Sequence, residues 1–434
     1  MKVEQESAEH LLIAVTSGPD KVGRMKRFLA VWLATGLWVA TVGASLRAAE
    51  VEWTPEVYMD HQLYPSLLIA TATMRPVEEE DEEGKEPDPY LLGEKFGPLG
   101  VSIKVTKPNA KVTVVIKENE VIGATTWTGE IEEADHDYYI APKVTFKFDK
   151  LRAVRQQVPL NVEFEVTVDG KSLGTKSDTV QLHSVNDCPF GVANSEETVD
   201  DENIEDGSAD LGYMFAAYVN EDHPFIDKLL KEALTVGVVN NFSGYQAQEP
   251  SFVIAQVYSI WAALQKHGIK YSSITEVPGG SQLVNSQYVR FLDQSVNNTQ
   301  ANCVDGSVLF ASILRKIGLK PYLVAVPGHM YMGFYLDEDE NDFVELETTM
   351  IGAGDGDEAD NEGAPEAVTD LEQKLAKEVT KSHAWRSFAA AVTTGTKSYD
   401  EVADKMDAGD PRYQVIDIEA ARKDGIMPIS YAGK

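Results

Sequence analysis

A thiol at Cys303, an imidazole at His329 and a carboxylate at Glu345 or Glu347 follow one another in this sequence, the three kinds of group that nucleophilic acyl transfer by a thiol can use. Cys303 follows Asn302 and opens a run with Val304, Val308, Ala311, Ile313 and Leu314 at helical spacing, closed by Gly318. The thiol therefore falls in the first turn of a predicted helix. Unpaired N–H groups and the helix dipole stabilise negative charge there, and the same groups can hold an oxyanion. His329 follows a strand-like run, Tyr322 to Val326, across Pro327-Gly328, and leads a second alternating segment. A third group must orient the imidazole and balance its charge. The next segment, Asp342 to Thr349, sets Glu345 and Glu347 on one face of a strand and Val344 and Leu346 on the other. Glu345 and Glu347 are the two candidates for that acid.

A further oxyanion donor is expected upstream of the cysteine. Gln287, Gln294 and Gln300 are the candidates, and Gln294 is preferred because it leaves room to fold back over the site. Arg290 is expected in a salt bridge rather than on a substrate carboxylate. His383, in Ser382-His-Ala-Trp-Arg, lies far beyond Glu347 in a helical context with no acid-bearing strand after it. It is taken as a surface histidine, because geometry and not a string of letters defines a catalytic pair. The eight histidines form no His-Glu-x-x-His or comparable ligand cluster, so neither a metal nor a cofactor is expected.

The elements that must position these residues are legible in outline. Alternation begins at Val101-Ser-Ile-Lys-Val and returns at Lys111 to Lys117, Lys143 to Phe148 and Asn161 to Val168, with turn signals such as Asp169-Gly170 between. That spacing predicts an antiparallel β-sandwich over 101–190. Cys188, just past the last alternating run, has no base near it in sequence and is expected to be buried or in a linker. Helical patterning returns at Pro224–Leu234 and at Ser251–His267, where Ile254, Val257, Trp261 and Leu264 define a buried face. The remaining expectations are an irregular acidic region over 50–100, an acidic linker over 191–210 and an α+β domain over 211–352. An acidic loop over 353–364 and a C-terminal α/β extension over 365–434 follow. Asp355, Asp357, Asp360 and Glu362 in that loop lack the ordered ligand spacing of a calcium site. The role of Gly425-Ile-Met-Pro-Ile does not follow from its residues.

The region from about Gln287 to Ile351 resembles the transglutaminase-like superfamily, whose fold is related to papain-type thiol proteases. That family shows a cysteine opening a helix, a Gly-bounded strand, a His-led strand and a strand ending in Asp-Pro-Thr. The matching positions are Cys303, His329 and Glu347-Thr348-Thr349, closest to a bacterial subgroup that ends in Glu-Thr-Thr. The resemblance implies a papain-like α+β domain behind the sandwich. It implies attack on a peptide or side-chain amide to form a thioester, then release to water, or to an amine in a crosslinking variant. A reading from another class stays open, in which an inactive domain serves as an extracytoplasmic binding or scaffold module.

Composition bounds the setting. Seventy acidic against 38 basic residues leave a net charge of −32, which argues against nucleic acid and anionic membranes as partners and leaves a protein or peptide substrate. Two cysteines are too few for a disulfide framework. Met25-Lys-Arg followed by the apolar run Phe28 to Ala44 and small residues to Ala49 has the form of a secretory signal within 1–49, with translation starting at Met25. The expectation is a periplasmic or secreted protein, attached to a membrane only if that segment stays uncleaved.

Overall fold

The structure, a computed structural model, describes residues 51–74, 89–94, 97–193, 209–272, 281–352 and 363–429. The expected signal segment, the acidic stretch 78–88, the linker residues 196–206 and the loop acids Asp355, Asp357, Asp360 and Glu362 lie outside them. The fold is mixed α/β with several sheets.

Nine strands make the N-terminal layers: β1 (Glu52–Val57), β2 (Gln62–Leu63), β3 (Leu91–Gly93), β4 (Leu99–Lys104), β5 (Ala110–Ile116), β6 (Thr125–Ile131), β7 (Asp137–Ala141), β8 (Val158–Val168) and β9 (Lys171–Leu182). One sheet runs β1-β4-β7-β3 and the other β2-β9-β8-β5-β6. Strict alternation sends Val112, Val114 and Ile116 of β5 and Val162, Phe164 and Val166 of β8 into the core. Both sheets bury their inner faces in one hydrophobic cluster, the arrangement of a sandwich.

The expected organisation needs four corrections here. Residues 50–100 are not irregular throughout, because β1 pairs with β4 from Glu52↔Lys104 to Val57↔Leu99 and buries Trp53. The sheets are not wholly antiparallel: β2 joins β9, and β3 joins β7, in parallel at the edges. Lys143 to Phe148 is not a strand. It follows Pro142, touches Ile122 through a single bridge at Phe146, and passes at Phe148 into a short helix, Phe148–Ala153. Nor does the first layer close at 190. Strand β10 (Asp187–Val192) lies between β11 (Ala209–Asp210) and β13 (Val284–Tyr288), so the chain crosses that boundary in extended form and pairs with the following half.

That half holds the residues of interest. Helix α1 (Pro224–Leu234) and helix α2 (Pro250–Lys266) match the periodicity, and Ile254, Val257, Trp261 and Leu264 are all buried. Helix α2 is covered on other sides too, with Val253, Tyr258 and Ile260 inside, because it lies within the domain. After α3 (Leu292–Asn298) comes α4 (Cys303–Lys316), buried on nearly every face from Val304 to Leu314. Helix α4 packs against β15 (Pro321–Val326) and β16 (His329–Tyr335), the two inner strands of an antiparallel sheet.

Strands β17 (Phe343–Leu346) and β18 (Gln414–Asp417) flank that sheet, and β18 comes from the expected C-terminal extension. The extension is therefore part of the sheet that carries His329. Helix α5 (His383–Asp407) lies along β17 and seals the sheet face of Tyr322, Val324 and Tyr331 with Met406. Past β18, the Met427 N–H donates to Ala70 O (2.9 Å) and the Ile429 N–H to Ala217 O (2.8 Å), with Ile426 and Ile429 buried. This gives Gly425-Ile-Met-Pro-Ile a structural role. Among the described residues, no helix is long and apolar enough to cross a membrane.

Candidate active site

Cys303 is the first residue of α4, and the cap before it explains why the helix begins there. The Asn302 side chain accepts from the Asp305 N–H (2.8 Å), while Asp305 Oδ2 accepts from the Asn302 N–H (3.0 Å), a reciprocal capping box. Such a cap leaves the N–H groups of Cys303 and Val304 without an intrahelical partner. The Asp305 carboxylate also accepts from the Arg290 N–H (2.8 Å) and from Arg290 Nη1 (2.8 Å). Arg290 is thus in the expected salt bridge. Burial pushes the fully buried Asp305 carboxyl above its ordinary value, against the pull of those hydrogen bonds and of the guanidinium.

His329 is the first residue of β16 and pairs with Val326 across the two-residue turn Pro327-Gly328. Gly328 takes φ +71°, which a type II turn needs after its proline and which glycine adopts without strain. The turn delivers the imidazole to the N-terminal end of α4. Its Nε2 lies 2.7 Å from Glu347 Oε2, and the Cys303 side chain is near enough for its charge to act on the ring.

Glu347 leaves the end of β17 and is buried. Its other oxygen, Oε1, accepts from the Thr349 N–H (3.0 Å) and from Thr349 Oγ1 (2.5 Å), and its own N–H donates to Ala391 O of α5 (3.0 Å). The turn Thr348–Met350 rests on α4 at Gly306. A Cβ there would stand 2.8 Å from Thr348 Oγ1, so glycine permits the approach that sets Glu347 beside His329. Ser307 adds a contact to Thr348 Oγ1 at 3.4 Å.

Charge balance follows from this geometry. Burial opposes the imidazolium most strongly, yet hydrogen bonds and charge at Cys303 and Glu347 outweigh it and raise the His329 pKa from 6.5 to about 10. Burial raises the Glu347 carboxyl, but the hydrogen bond and charge of His329 prevail and hold it below its ordinary value. A histidine whose folded pKa is raised stabilises the fold fully below its unfolded value and loses that contribution as pH rises through the folded one. Thermal stability is therefore expected to decline between about pH 6.5 and about pH 10. Melting temperatures of the wild type and His329→Ala across this window check this. The decline should be shallower in the variant, and identical curves would refute the charge assignment. Glu347 works at the other end, its contribution being lost as pH falls through its lowered value.

The other named residues sit elsewhere. Glu345 pairs with Gly333, four residues along β16 from His329, or about 13 Å at strand spacing. Its Oε1 accepts from the Tyr322 hydroxyl (2.9 Å) under α5, and burial pushes its carboxyl up to about 7. Gln294 Oε1 accepts from the Phe291 N–H (2.8 Å) and from Asn186 Nδ2 (2.7 Å), which makes Gln294 the cap of α3 and a tie to the first layers. Gln287 is buried in β13 opposite Cys188, and Gln300 is exposed in β14 (Gln300–Ala301). Cys188 is free and wholly buried, and burial pushes its thiol well up. His383 begins α5, far along the chain from the pair. Among the described residues, no cluster of His, Cys, Asp and Glu can hold a metal ion.

The positioning residues that sequence reasoning passed over are Asp305, Gly306 and Ser307. Their signal was present as Asn-x-x-Asp before a Gly-Ser pair, the spacing of a capping box. Comparison of the chain with protein-family models, with curated proteins and with solved structures found no match.

Proposed function

We propose that this chain is an exported thiol-dependent acyl-transfer enzyme of the transglutaminase-like, papain-related kind. Its reaction is hydrolysis of peptide or side-chain amide bonds, with transfer to an amine where one is bound. The observation that carries the reading is the His329–Glu347 hydrogen bond beside Cys303, with the thiol at a helix start and the acid buried and doubly anchored. The thiolate forms a bond to the carbonyl carbon, and the departing amine takes its proton from the His329 imidazolium, leaving a thioester. Water then gives a proton back to the imidazole as it attacks, the acid is released, and the thiolate is restored. Glu347 keeps the imidazole in one orientation and balances its charge. The apolar segment after Met25 supports the extracytoplasmic placement.

Iodoacetamide labelling at pH 7, mapped by peptide mass, tests the reading, and the buried Cys188 gives no competing signal. His329→Ala is expected to slow Cys303 labelling about tenfold or more, because an unassisted thiol is only a few per cent thiolate at that pH. Labelling that is equally slow in both proteins would reject the enzyme and favour a binding or scaffold role for the sandwich.

A further inference from the structure

Attack on a carbonyl creates an oxyanion, and α4 offers backbone donors on one side only. With Gln294 committed to the cap of α3, a side-chain donor has to come from another element. Strand β12 (Lys270–Tyr271) supplies one. It pairs in parallel with β14 and sets Tyr271 opposite Ala301, two residues before Cys303. The Ser272 N–H donates to Ala301 O (2.9 Å), and the turn Thr348–Met350 packs against β12. Tyr271 is therefore held between the entry to the nucleophile helix and the turn that carries Glu347.

Its side chain does not behave as a core tyrosine. It is 46% exposed, and among the described residues its hydroxyl has no hydrogen-bond partner. Partial burial first, then negative charge at Cys303 and Glu347, make the phenol a weaker acid than usual, so it keeps its proton at neutral pH. An O–H that stays protonated beside Cys303, on a half-exposed ring, is available to donate to an incoming ligand.

We propose that the Tyr271 hydroxyl donates a hydrogen bond to the substrate carbonyl oxygen as Cys303 attacks, completing the oxyanion site that the α4 N-terminus begins. As the S–C bond forms, the carbonyl π pair moves onto oxygen. Tyr271 stabilises that charge without transferring its proton, and the pair returns when the leaving group departs. The assignment rests on the acyl-transfer reading above and adds a substrate-contacting residue to it.

The test is first-turnover release of p-nitrophenol from p-nitrophenyl acetate by the wild-type protein and by Tyr271→Phe, with iodoacetamide labelling of Cys303 in parallel. The substitution removes one oxygen from an exposed ring. It is expected to slow the burst about 100-fold, the usual cost of one oxyanion donor. Labelling should be unchanged, because alkylation passes through no oxyanion. A burst of equal rate in both proteins overturns the role of Tyr271 and leaves the acyl-transfer reading standing. A parallel fall in burst and labelling also overturns it, because Tyr271 would then act on the thiol. No burst from the wild type sinks the acyl-transfer reading itself, and the Tyr271 assignment with it.

Discussion

Glu347→Gln is expected to lower the rate of Cys303 acylation by roughly 10³–10⁴-fold, the scale on which a catalytic imidazole loses its orienting carboxylate. The substitution is nearly isosteric, so the turn at Thr348–Met350 and the contact with Ala391 survive. The negative charge does not survive. The His329 imidazolium then keeps only its support from Cys303 against the cost of burial, and its pKa falls from about 10 towards the ordinary value. The glutamine can also present its amide nitrogen to Nε2 and favour the wrong tautomer. Burst kinetics with p-nitrophenyl acetate and NMR titration of the His329 ring check both halves. Glu345→Gln is the matched control and should change the rate little, because that carboxylate faces Tyr322 beneath α5. A loss under tenfold in Glu347→Gln, or a larger one in Glu345→Gln, would show that the acid has been misassigned.

The second large effect concerns stability. Asp305→Ala should cost about 3–5 kcal/mol, the usual penalty for removing one partner of a buried ion pair. Asp305 is fully buried and its carboxylate accepts from Asn302, from the Arg290 backbone and from the Arg290 guanidinium. Alanine removes all three hydrogen bonds at once and leaves the guanidinium without its counter-ion. Arg290→Ala in the same chain should recover part of the loss, because no lone charge then remains. Chemical denaturation of the single and double variants measures this. A single variant within 1 kcal/mol of wild type would refute the structural weight placed on the pair. Asn302 and Cys303 are adjacent, so a weakened cap should also slow Cys303 labelling.

The thiol, imidazole and acid were legible because each is tied to a local signal. Asn302 and the apolar periodicity mark a helix start, Pro327-Gly328 marks a hairpin, and the alternation at 343–346 gives a strand its faces. Less could be read where partners are distant in sequence. Four residues, Gln414–Asp417, hold only two apolar side chains and carry no strand signal of their own until β15 is beside them. Strand β1 was hidden by the acidic chain that follows it, and β12 is two residues long and pairs with a segment about thirty residues on. Gln294 shows a different difficulty. A glutamine upstream of a nucleophile and a glutamine at the third position of a helix have the same spacing, and only the partners of its oxygen distinguish them.

The placement of β18 has a consequence for timing. Chains emerge N-terminal end first, at about 5–20 residues per second. His329 therefore leaves the ribosome well before Gln414–Asp417, which closes the edge of its sheet, and before α5, which covers one face of that sheet and anchors the backbone of Glu347. During synthesis the nucleophile, its base and its acid exist as sequence but not as a constellation. Under the exported acyl-transfer function proposed above, such late closure would act as a safety catch, keeping Cys303 apart from His329 and Glu347 until folding is finished.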